Sequence, residues 1–274
     1  MSDSVSRRDL LKQFGTAMLT GGVVRHTRTS LLAAPGAPVE VVVSSVSPVT
    51  VRIAIATAGV PATADDGALV EATAGRIAGR GGSETSATIR AGQLIVRCDG
   101  EPVTIQVDTA EGKPVQRLAL DASGSSLSFL LSKGPLLGLG EGGPQFDRKG
   151  SIDRGRNGQG GYQLRTHGGR VPIQWLVGTD GWGLFIHRPL GAFDFTGTEG
   201  RFTPEGGVMP LELFVTASAD PAVIIGEYAR ISGHPELPAL WRLATCSRIG
   251  RWPVRRRSCG SRERSARNSS RVTR

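Results

Sequence analysis

The residues with chemical potential gather between Gly138 and Asp153. Gly138, Gly140 and Gly143 satisfy G-x-G-x-x-G, a spacing that lets backbone amides approach a pyrophosphate where a helix begins. No amphipathic helix follows them. Pro144-Gln145-Phe146 leads into Asp147-Arg148-Lys149-Gly150, so a nucleotide site is not expected. Asp147 and Asp153 are an acid pair of the type a retaining glycosidase needs, with carboxyls about 5–5.5 Å apart. Sequence proximity in a Gly- and Arg-rich loop does not bring two carboxyls together, and both read as solvated acids. His26, His167, His187 and His234 lie far apart, without Cys or carboxylate at ligand spacing. They read as surface or turn residues, and no metal or cofactor is expected. There is no G-x-S-x-G elbow and no Cys–His arrangement for nucleophilic chemistry.

The elements available to position these groups are strands. Aromatics are 5% of the 274 residues, against 38 Gly and 16 Pro, a balance that favours short strands and tight turns. Val39–Val43 and Val49–Ile55 are β-branched, and the second alternates at period two. Similar runs occupy Gln93–Cys98, Val103–Val107, Val115–Leu120, Ser125–Leu131, Ile173–Val177, Trp182–His187 and Leu211–Val215. Repeated short strands separated by turn residues predict a mainly β protein of sandwich type. Pro61–Ser86, rich in Gly, Ala, Asp and Thr, predicts a loop with poor strands. One helix is predicted, capped by Asp220, opened by Pro221 and closed by Gly233. Three cysteines cannot staple a disulfide scaffold, and Cys98, on a strand pattern, reads as a small buried hydrophobe.

Charge is distributed unevenly. Ala244–Arg274 holds ten Arg and one Glu, which is the whole net charge of +9, and Val39–Leu243 is left at −3. No apolar run reaches about 18 residues, so no transmembrane segment is expected. Residues 1–38 begin with the pair Arg7-Arg8 and a mildly apolar stretch from Phe14 to Val24, which resembles a twin-arginine export signal. The alternative is a short amphipathic helix with a Ser or Asp cap. Export implies a periplasmic or extracellular destination.

Three segments carry a further resemblance: LLGLGEGGPQFDRKG from Leu136, YQLRTHGGRVPIQWLVGTDGWGLFIHRPLGAFDFTG from Tyr162, and LELFVTASADPAVIIGEYARISGHPELPALWRL from Leu211. Their Gly-Leu-Gly-Glu turn, Gly-Trp-Gly-Leu-Phe strand, Asp-Pro helix and Gly-x-Pro-x-Leu-Pro ending occur in one order. That order resembles the region preceding the catalytic barrel in glycoside hydrolase family 31, the α-glucosidases, α-xylosidases and α-glucosyltransferases. The resemblance implies that residues 39–243 form a galactose-mutarotase-like β-sandwich with a short C-terminal helix. It places both catalytic aspartates in a barrel of about 250 residues, so no catalytic residue is assigned here. It also implies a loop reaching toward bound sugar, matched by Asp153–Tyr162. Asp153 would accept sugar hydroxyl hydrogen bonds and Tyr162 would stack or hydrogen-bond, unless both merely order the loop. The implied partner is an α-linked oligosaccharide, weakly bound or lost without the barrel; the alternative is a free-standing carbohydrate-binding module.

Residues 244–274 do not continue that resemblance. The family's next segment reads Gly-Tyr-x-Gln-Ser, and suitable codons for it, shifted by one base, give Ala-Thr-Cys-Ser-Arg-Ile, as at Ala244–Ile249. A frameshift near Leu243 is therefore expected, leaving a disordered basic tail. The rival is a nucleic-acid arm that neutralises phosphates. The tail has no aromatic beyond Trp252, no helical period and no Lys, so nucleic acid is not expected as a partner.

Overall fold

The described residues form fifteen strands and one helix. The computed structural model describes residues 38–60, 67–70, 75–142, 145–154, 171–234 and 237. In chain order the strands are β1 (Val39–Ser45), β2 (Thr50–Thr57), β3 (Arg76–Gly82), β4 (Ala87–Ala91), β5 (Leu94–Asp99), β6 (Thr104–Thr109), β7 (Pro114–Leu120) and β8 (Leu127–Leu130). They continue as β9 (Leu136–Gly138), β10 (Ile152–Asp153), β11 (Trp175–Gly178), β12 (Trp182–Ile186), β13 (Gly191–Asp194), β14 (Glu199–Pro204) and β15 (Leu211–Ala217), followed by helix α1 (Pro221–Ser232). All of these lie in the unit Met1–Gly233; His234–Arg274 belong to a second unit.

Two antiparallel sheets result. One has seven strands in the order β3-β1-β2-β15-β12-β11-β9, the other eight in the order β10-β13-β14-β8-β7-β6-β5-β4. Val41, Val43, Val51, Ile53 and Ile55 of the first sheet share one core with Leu94, Val96, Ile105, Val107 and Leu118 of the second. This is the sandwich that alternating strands predict, because each sheet has one apolar face to bury. Near β13 the core is aromatic. Phe129 meets Phe193 edge-on at 6.4 Å and Phe195 at 6.2 Å, and Phe193 lies 4.7 Å from Phe202.

Helix α1 forms as predicted. The Asp220 carboxylate accepts a hydrogen bond from the Ala222 amide at 2.8 Å, and Gly233 closes the helix at φ 81°. It packs on the face of the seven-stranded sheet that points away from the core. Tyr228 stacks on Trp175 at 4.5 Å and meets Phe185 edge-on at 5.3 Å, while the Thr50 hydroxyl donates to the buried Glu227 carboxylate at 2.8 Å. No helix among the described residues is long and apolar enough to cross a membrane.

Several expectations are corrected. Arg76–Gly82, inside the stretch Pro61–Ser86 expected to be a loop with poor strands, is a seven-residue edge strand, β3, and it pairs with β1 although it contains three glycines. Strands β4, β13 and β14 were not expected from pattern alone. In β14 the buried set is Gly200, Phe202 and Pro204, so only one position of the alternation carries a large apolar side chain. Cys98 is fully buried, as its strand pattern predicts. The export segment, the basic tail and Tyr162 lie outside the described residues.

Candidate functional site

The Gly-rich segment is a backbone junction. β9 pairs antiparallel with β11, Leu136 opposite Gly178 and Gly138 opposite Leu176. Gly138 has φ 111°, and a Cβ there would sit 2.2 Å from the Trp175 carbonyl oxygen. Gly140, at φ 75°, would place its Cβ 2.1 Å from the Val171 carbonyl oxygen. Glycines stand here because two backbones touch. Among the described residues after them, 145–150 form bends and a turn.

That turn is fastened by its charged side chains. Asp147 accepts hydrogen bonds from the amides of Leu136 at 3.0 Å and Lys149 at 3.1 Å. Buried Arg148 donates from Nε to the Gly138 carbonyl at 3.0 Å and from Nη2 to the Gly142 carbonyl at 2.8 Å. Lys149 donates from Nζ to the carbonyls of Ser132 at 3.0 Å and of Lys133 and Gly134 at 3.2 Å each. Asp147-Arg148-Lys149 thus satisfies backbone groups that would otherwise face one another unpaired. The reading of Asp147 as a solvated acid is corrected: its carboxylate is a turn staple.

Asp153 follows from this anchor. The Gly150 amide donates to the Phe195 carbonyl at 2.9 Å, the Phe195 amide donates to the Ser151 carbonyl at 3.0 Å, and β10 then pairs with β13, Asp153 opposite Phe193. Strand alternation turns Ile152 outward at 58% exposure and Asp153 inward at 6%. Asp153 is therefore not a solvated acid either. It sits at the root of the segment 155–170, which contains Tyr162 and lies outside the described residues. At the far end of that segment Val171 exchanges two 3.0 Å backbone hydrogen bonds with Glu141. The segment therefore starts on the edge strand of one sheet and returns beside the edge strand of the other. Phe146, 73% exposed, and Ile152 and Val171 present apolar surface in the same stretch of chain.

A second polar group escaped the sequence reading. Glu212 on β15 accepts from Arg52 Nε on β2, and its other oxygen lies 3.0 Å from His187 Nδ1 just after β12. Glu212 is 3% exposed, so His187 is no free surface residue and that expectation is corrected. The available signal was a charge within each of two apolar runs, Arg52 and Glu212, in strands that pair.

No family model and no curated protein matches the chain in sequence. Solved structures do match in shape. The GH31 dextranase of Flavobacterium johnsoniae, solved as its D412A mutant with isomaltotriose, superposes with TM-score 0.58 at 19% identity, over 73% of this chain and 26% of its own. Glycoside hydrolase family 31 enzymes share this fold. The cycloalternan-forming enzyme of Listeria monocytogenes, in complex with a pentasaccharide substrate, gives 0.55 at 17% identity over 76% of this chain and 21% of its own. A xylosidase from Aspergillus niger gives 0.51 at 13% identity over 73% and 32%. The chain thus spans between 21% and 32% of the length of these three solved chains.

Proposed function

We propose that this sandwich is the amino-terminal domain of an α-glycosidase of family 31, and that it offers the Asp153–Tyr162 segment to a sugar held by a separate catalytic barrel. The observation that carries the reading is the double-sheet fold shared with sugar-processing enzymes of that family, together with a fastened rim from which the segment leaves. In this role Tyr162 is an aromatic platform for the sugar, while Asp153, 6% exposed and opposite Phe193, orders the root of the segment. Neither is a catalytic acid. Double displacement needs a nucleophile and a general acid about 5–5.5 Å apart, and Asp147 is occupied by the turn. The barrel that supplies both acids takes about 250 residues of its own.

Taken without such a barrel, the sandwich is expected to hydrolyse no glycoside and to bind sugar weakly or not at all. Turnover of aryl α-glucosides or α-xylosides by the purified chain overturns the reading. Isothermal titration with maltose, isoprimeverose or isomaltotriose separates it from the alternative, since millimolar binding without turnover identifies a free-standing carbohydrate-binding module. Ala244–Arg274 is read as barrel-encoding DNA translated out of frame, which resequencing at the Leu243 codon tests. Arg7-Arg8 is read as an export signal; an intact, exported reporter fusion that stays inside the cell when both become Lys tests that.

A further inference from the structure

At the opposite edge of both sheets from Asp153, strands β3 and β4 flank a solvent-open cleft of about 300 Å³. Its lining is Ser45, Arg76, Ile77, Ala78, Arg90, Ala91 and Gly92, which contributes two guanidinium groups, one hydroxyl and no acid. Among the described residues neither Arg76 nor Arg90 makes a salt bridge. This distinguishes them from Arg52, Arg80 and Arg97, each of which is paired with a carboxylate on a neighbouring strand. The acid closest in effect is Glu111 outside the cleft. The Thr109 hydroxyl is the main group holding Glu111 below its ordinary range, with Arg90 adding a small pull. The wall is set by backbone: the Gln93 amide donates to the Pro48 carbonyl at 2.7 Å, and a Cβ on Gly92 would meet that same oxygen at 2.6 Å. Ile77, 57% exposed, gives the cleft an apolar lip.

Arg76 and Arg90 are solvent-exposed and, among the described residues, hold no carboxylate at salt-bridge distance, so an anion entering the cleft can take donors from both. Guanidinium donors fit planar or tetrahedral oxyanions in fork geometry. The volume is at the small end for ligand sites and holds about one sugar ring or a smaller ion. We propose that the cleft between β3 and β4 is a binding site for a small molecule bearing an oxyanion group, held by Arg76 and Arg90 against the Ile77 lip. This site is independent of the role proposed for Asp153.

The test is a titration of the full chain at low salt with sodium glucuronate, sulfate, phosphate and, as a neutral control, glucose. It is followed by amide NMR at Ala78, Ala91 and Gly92. A site-resolved signal is needed because the arginines of the tail attract anions without specificity. Saturable shifts at these amides are expected, with Kd on the order of 1 mM. Glucuronate binding more tightly than the inorganic ions identifies an acidic sugar; equal binding of sulfate or phosphate identifies a compact oxyanion. The combined Arg76→Gln and Arg90→Gln variant should weaken binding more than tenfold with an unchanged melting temperature, while Arg117→Gln leaves it intact. No saturable shift with any of the anions, equal shifts with glucose, or full affinity in the double variant overturns the proposal.

Discussion

Arg52 and Glu212 meet diagonally across paired strands: the Cα partner of Arg52 is Phe214, that of Glu212 is Ala54, and the guanidinium reaches back two residues to the carboxylate. Diagonal neighbours lie within reach of a long side chain. Because Glu212 is buried, both of its oxygens need donors, and the second faces His187 at 3.0 Å. Removing the carboxylate strands positive charge on a largely covered face. Glu212→Ala should cost about 3 kcal/mol of stability, read from the midpoint of urea unfolding. Glu40→Ala, which deletes the exposed partner of Arg80, should cost under about 0.5 kcal/mol. Similar losses from the two variants would mean that burial does not separate these ion pairs.

The junction between β9 and β11 leaves no room for a methyl group. Gly138→Ala combines a positive φ with a contact of 2.2 Å to backbone, which a side-chain rotation cannot relieve. Gly112→Ala has a positive φ with nothing within 4 Å, so it isolates the conformational cost, about 1 kcal/mol. Gly138→Ala should exceed it by at least about 2 kcal/mol or prevent folding. Equal melting temperatures for the two variants would show that the strands can separate at no cost.

These contrasts indicate what the sequence could convey. β2 and α1 were legible because each carries its own signal: alternation in Val49–Ile55, and a cap, a proline and a closing glycine around Pro221–Ser232. β3 was not, because Gly79, Gly81 and Gly82 have no side chains to alternate, and its pairing is imposed by β1. At the candidate site the order of motifs led to Asp153, but its burial was illegible. A strand of two residues has no period, and its orientation comes from β13, which lies about forty residues further along the chain. His187 was misread for a related reason, since its partner Glu212 is adjacent only after β12 and β15 pair.

Lys149 ties the turn before Asp153 to three consecutive carbonyls. Lys149→Met keeps the length of the stem and removes the donors, so the carbonyls of Ser132, Lys133 and Gly134 must turn to water. The ammonium is partly solvated, which reduces the loss to about 1–2 kcal/mol. The distinctive readout is local: amide exchange should quicken from Lys133 to Ser151 and remain slow in β5 and β6. Uniform quickening across both sheets would indicate general destabilisation and remove the anchoring role.

Cys98 converts burial into a pH signature. Burial, with a smaller contribution from Asp99, pushes its thiol from 9.0 up to about 11. A thiol whose pKa is raised in the folded state stays protonated there while the unfolded thiol ionises, so rising pH favours the unfolded state once it passes the unfolded value. The contribution of Cys98 is therefore fully present below about pH 9, where both states keep the proton, and is lost relative to Cys98→Ser as pH rises from 9 toward 11, because unfolding then releases a proton. With Cys246 and Cys259 replaced by Ser, Cys98 should react with a disulfide reagent at pH 8 only through the unfolded state, since the attacking species is the thiolate. The labelling rate should rise with urea in parallel with the unfolded fraction. A fast, urea-independent reaction at pH 8 would place the thiol at the surface and contradict the packing of β5 against β3.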